Sequence, residues 1–103
     1  MNEALAAALL KGRSRMSIAH HVPGRIRLRF APDILTQVPE LKALIDSGGL
    51  EEMAGVTDAR VNPFAFSIVV SYDTGRIAPS DWETLIAGGD AEAEAVLRRL
   101  LES

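Results

Sequence analysis

The chain contains no cysteine. That absence removes disulfides, thiolate metal sites and thiol nucleophiles together, and it leaves the compartment open. Aromatic residues are scarce: three Phe, one Tyr and one Trp in 103 residues. Histidine occurs twice, at the adjacent positions His20 and His21. No apolar run approaches the ~18 residues needed to span a bilayer. Residues 4–10 are apolar, but no basic residue precedes them and no cleavage pattern follows, so they do not read as a signal peptide. The expectation is a soluble cytoplasmic protein with no membrane span. What is present suffices for one core, since 48% of the residues are hydrophobic.

Charge is unevenly spread. Residues 1–30 hold six Lys/Arg against one acid, a balance of +5; residues 31–103 hold five against thirteen, a balance of −8. The basic part has the composition to meet an acidic partner or an anionic ligand, or to pair with the acidic part within the fold. Its most informative stretch is His20-His21-Val22-Pro23-Gly24-Arg25-Ile26-Arg27-Leu28-Arg29-Phe30. From Arg25 onward arginine and apolar residues alternate strictly, the mark of a half-buried strand with three guanidinium groups on its outer face.

Periodicity orders the remainder. A helix is expected over 3–11, capped by Asn2, with Leu5, Ala8 and Leu9 on one face. Residues 12–15 read as a basic linker, and residues 17–30 as a first strand, bent or interrupted at Pro23-Gly24. Pro39 opens a helix with Leu41, Leu44 and Ile45 as its apolar stripe. Gly48-Gly49 stops it, and one further turn is expected over 50–53. A second strand covers 56–62 with Ala59 and Val61 inward, and Asn62-Pro63 forms a turn. A third strand covers 65–72, with Phe66, Ile68, Val70 and Tyr72 on one face. Ser80 and Glu83 have the spacing of a capping box, opening a helix that carries Trp82, Leu85 and Ile86. Asp90 opens the last helix, with Ala93, Val96, Leu97, Leu100 and Leu101 as its stripe.

The fold class is therefore α+β: a ferredoxin-like βαββα core with added N- and C-terminal helices and a missing fourth strand. The boundaries are 1–15 for the N-terminal helix and linker, 16–88 for the domain, and 89–103 for a C-terminal helix packed on it. Without a fourth strand the first strand has an open edge, a route to a homo-oligomer unless the N-terminal segment or a bulge protects it.

The segments His21-x-Pro23-Gly24-Arg25-Ile26-Arg27-Leu28-Arg29, Gly55-Val56, Val61-Asn62-Pro63 and Ser67-Ile68-Val69-Val70-x-Tyr72-Asp73, in that order, resemble the heavy-metal-associated domain. They are closest to its cysteine-poor variants, found with P-type metal-transporting ATPases. The resemblance covers roughly residues 17–86 and implies a role in metal homeostasis, with such an ATPase as a partner. The family's usual soft-metal pair, Cys-x-x-Cys after the first strand, has no counterpart in residues 30–35, so ordinary copper chaperoning is not implied.

Candidate ligands are then His20 and His21, since imidazole suits Zn, Ni, Cu(II) and haem iron. Neighbours on a regular strand point to opposite faces, so one ion takes both only if the backbone is irregular. The alternative is that one histidine packs and the other is solvated. Arg25, Arg27 and Arg29, joined by Arg60, are candidates for an acidic protein surface or an anionic ligand. Without interleaved aromatics they do not read as a nucleic-acid sheet. Gly24-Arg25 and Asn62 echo the acylphosphatase phosphate cradle, but two short matches assign nothing. No nucleophile beside a base is legible, so no catalysis is expected. Two functions remain: a metal- or haem-handling domain, or a metal-free interaction module built on the arginine strand and the terminal helices.

Overall fold

Pro23 and Gly24 reverse the chain. Proline has no N–H for a ladder, and Gly24 takes φ +89°, a conformation that side chains disfavour. The stretch expected as one bent strand is thus a hairpin, β1 (Met16–Val22) and β2 (Arg25–Phe30). In the computed structural model, residues 3–46, 48–62 and 64–102 are described. They form α1 (Glu3–Gly12), β1, β2, α2 (Ile34–Gln37), α3 (Pro39–Asp46), β3 (Val56–Asn62), β4 (Ser67–Tyr72), α4 (Pro79–Ala87) and α5 (Asp90–Glu102). The expected cap Asn2, Pro63 of the expected Asn62-Pro63 turn, and the side chains of Leu5, Leu44 and Ile45 lie outside the described residues.

The architecture is mixed α+β around one antiparallel sheet of order β1-β2-β4-β3. A missing fourth strand and an open edge on β2 are therefore corrected: residues 16–22 cover that edge. Both outer strands carry a register shift, between Ile18 and His20 in β1 and between Val56 and Asp58 in β3. Such bulges twist an edge away from further pairing.

All the helices that share the core lie on one side of the sheet. Ile26, Leu28 and Phe30 of β2 and Ile68, Val70 and Tyr72 of β4 are buried against Leu9, Leu41, Trp82, Leu85 and Leu97. The stripe of α5 is inward as expected, with Leu101 half-buried. Val61 pairs with Ile68 and shares its face, yet it is 39% exposed at the sheet margin. Phe66 precedes β4 rather than joining it: it sits at φ +48°, with its ring edge-on to Phe30 at 6.3 Å.

Two local expectations are corrected. Residues 12–15 are no linker: Arg13–Arg15 is a 3-10 turn, and Arg13 is buried. Its Nε donates to Leu85 O at 2.7 Å, and Nη1 and Nη2 donate to Asp90 Oδ1 and Gly88 O. A guanidinium thus caps the C-terminal carbonyls of α4, where the helix dipole favours a cation. The expected capping box does not form. Pro79 is the first residue of α4, and Asp81, not Glu83, reaches back to accept from Ala78 N–H at 3.1 Å. Asp81 also accepts from Arg99 at 2.5 Å, tying α5 to α4 and raising the Arg99 pKa above its ordinary value. Glu83 is released for another use.

At the β3 entrance Gly55 has φ +96°, and its carbonyl accepts from Asp73 N–H at 2.8 Å. A Cβ there would stand 2.8 Å from Ile77 Cγ1, so both backbone and space require glycine.

Candidate functional site

The helix-free face of the sheet assembles the predicted arginines. Exposure along β2 alternates strictly, with Arg25, Arg27 and Arg29 out and Ile26, Leu28 and Phe30 in. Cross-strand partners share a face, so the register fixes what flanks each arginine. Val22, Arg25, Ser71 and Asp58 form one row; His20, Arg27, Val69 and Arg60 form the next; Ser17, Arg29, Ser67 and Asn62 form the third. The structure therefore brings Arg60 to the arginine strand, on the far side of β4, and adds His20 beside Arg27. Among the described residues no ion pair or side-chain hydrogen bond involves Arg25, Arg27 or Arg29, whereas Arg60 Nε donates to Asp58 at 2.9 Å. Beyond the third row Arg29 borders an open groove of about 410 Å³ shared with Ser14, Arg15 and Ser17. Arg15 there is held by Asp33 at 2.8 Å.

His21 faces the other way. It pairs with buried Ile26, and its side chain is 8% exposed. Its Nε2 lies 2.7 Å from the Tyr72 hydroxyl, and its Nδ1 lies 3.3 Å from Glu83 Oε2. In the tautomer protonated at Nδ1, that N–H faces the Glu83 carboxylate and Nε2 accepts from Tyr72 O–H. The Tyr72 ring in turn packs on Trp82, 5.5 Å away, whose buried Nε1 has no partner among the described residues. This chain pins the β1–β2 hairpin to α4.

The bulge explains which histidine turned inward. Strict alternation from Ile18 puts His20 inside; the extra residue at Ala19 exchanges the two. Among the described residues no three histidine, aspartate or glutamate side chains converge as a ligand set, and no helix is long and apolar enough to cross a membrane.

The residues that sequence reasoning passed over are Arg13, Glu83 as the His21 partner, and Phe64. Phe64 is 95% exposed in the β3–β4 turn, where Asn62 Oδ1 accepts from the N–H groups of Phe64 and Ala65 at 3.1 and 3.2 Å. An Asn two residues before an aromatic was the available signal for that rigid turn. Compared with protein-family models, curated proteins and solved structures, the chain matches none.

Proposed function

We propose that this chain is a non-catalytic interaction module whose open sheet face docks an acidic surface of a partner protein. One observation carries the reading: three arginines without partners, flanked by Arg60 and His20, occupy neighbouring positions on one uncovered face. Guanidinium is the side chain best suited to bidentate carboxylate contacts. The outward residues of β4, between the β2 arginines and Arg60, are Ser67, Val69 and Ser71, so no ring stands between those arginines for a base to stack on, which favours a protein occupant. Four cations in so small an area also oppose face-to-face pairing of two copies.

The topology supports a ferredoxin-like core within this reading. From β2 onward the order is strand, helix, strand, strand, helix, and β4 lies between β2 and β3, antiparallel to both. β1 occupies the flank that a last strand takes in that topology. Were the resemblance to heavy-metal-associated domains to hold, a metal-transporting ATPase would be one such acidic partner. A metal or haem shared by His20 and His21 has weaker support, because their pairing with Arg27 and Ile26 puts the two imidazoles on opposite faces.

The test is calorimetric titration with polyglutamate at low salt and at ~0.5 M, where screening removes surface attraction. Binding is expected at low salt, weakened steeply by salt and lost when Arg25, Arg27, Arg29 and Arg60 are all changed to Ala with the circular dichroism unchanged. Binding indifferent to those changes rejects the reading. Titration with Zn(II), Ni(II), Cu(II) and haem runs beside it. Tight stoichiometric binding abolished by His20→Ala/His21→Ala restores the ligand-handling alternative.

A further inference from the structure

The open face is not flat. Along β4 its outward residues are Ser67, Val69 and Ser71, all small; on either side stand Arg25, Arg27 and Arg29 of β2 and Asp58, Arg60 and Asn62 of β3. Small residues between two taller rows make a trough that runs along the strands. Ser67 on its floor is 1% exposed although it faces away from the helices, while Val69 and Ser71 are half-buried. Two strand spacings put the rims about 9–10 Å apart, and alternate residues along β2 stand about 6.6–6.8 Å apart.

We infer that this trough takes an extended segment of the partner with carboxylates on alternate residues. The inference rests on the docking reading above and names its occupant. An extended chain repeats its same-face side chains at the arginine spacing, so an acid-x-acid segment meets successive guanidinium groups in register. Adjacent acids would point half their charge away from the rims. An α-helix, about 10–12 Å across with its side chains, is too wide to sit between them.

The trough is also polar along its length. Asp58 stands in the row of Arg25 and holds Arg60 at 2.9 Å, so a carboxylate already occupies that end and repels a second one there. The middle row has Arg27, Arg60 and His20, and the last has Arg29 with Asn62. Asn62 Oδ1 is committed to the Phe64 and Ala65 N–H groups. Its amide NH₂ is therefore the free end, a donor for a carboxylate. The segment places its two acids over Arg27 and Arg29, and an uncharged polar residue over the Arg25–Asp58 row.

The experiment compares two fluorescein-labelled octapeptides of one composition, (Glu-Ser)₄ and Glu₄Ser₄, by anisotropy at low salt. A single-stranded oligonucleotide of matched charge is the third probe. The alternating peptide is expected to bind about tenfold tighter than the block peptide, with Arg27→Ala and Arg60→Ala each weakening it about tenfold. Asp58→Asn is expected to tighten it. Arg98→Ala, on α5 at the covered side of the sheet, is expected to change nothing, and circular dichroism checks every variant. Equal, arginine-dependent binding of both peptides overturns the extended-segment inference and leaves the docking reading standing. Peptide binding indifferent to Arg27 and Arg60 overturns both. So does tighter binding of the oligonucleotide, which makes nucleic acid the occupant.

Discussion

The two faces of the sheet are made by the same strands and obey different rules. On the covered face each residue of β2 and β4 is fixed by its neighbours: Ile26 is fully buried and Val70 is 1% exposed. On the open face the alternate residues of β2 are exposed, and its three arginines stand without side-chain partners among the described residues. The difference teaches where stability ends and recognition begins. Charge kept unpaired on a rigid scaffold contributes little to folding, so its placement is free to serve a partner.

Substitution at adjacent positions of β2 gives the sharpest contrast. Ile26→Ala is expected to cost about 2–5 kcal/mol, from lost burial plus a cavity. Arg27→Ala, one residue on, is expected to stay within about 0.5 kcal/mol. Urea denaturation of the two variants checks both, and equal losses would break the distinction between the faces.

Arg13→Ala tests whether the covered side depends on its polar tie. The variant strips the Leu85 and Gly88 carbonyls of their guanidinium, and a loss of about 2–3 kcal/mol is expected. The Asp90 contact adds little, because that carboxylate is 98% exposed. Arg13→Lys cannot reproduce the fork and is expected to recover only part of the loss in thermal unfolding. Gly55→Ala should follow at about 1–3 kcal/mol, since it meets Ile77 and adopts φ +96°.

The smallest effect is at the surface pair Lys11–Glu40, 3.0 Å apart, which links α1 to α3. The hydrogen bond from Lys11 holds the Glu40 carboxyl below its ordinary value. Its folded pKa is depressed, so its contribution is present above the unfolded value and lost as pH falls through the folded one. Acid titration of Glu40→Gln against the parent chain should show a slightly shallower loss of stability, erased by added salt.

How much of this was legible in the sequence follows from which forces are local. The alternation of β2, the stripe of α5, and the breaks at Pro39 and Gly88-Gly89 are local, and each stands where the pattern put it. The hairpin was hidden because Pro23-Gly24 signals both a bend and a reversal, and only pairing with β2 decides between them. The exchange of His20 and His21 was hidden because a bulge adds no compositional mark at Ala19. Arg13 reads as linker charge until α4 arrives, about seventy residues later in the chain, to give its guanidinium carbonyls to hold. The arginine strand of the candidate face was plain; its companions His20 and Arg60 needed the register.

That register has a consequence for how the molecule assembles. β1–β2 and β3–β4 are each hairpins joined by short turns, whereas β2 meets β4 only after two helices have intervened. Closing the long loop carries the larger entropic penalty, so the two hairpins are expected to form before they join. The trough lies across that seam, with one rim on each hairpin. Neither half-sheet alone can present it, so a partner that reads both rims would recognise completed folding as well as charge.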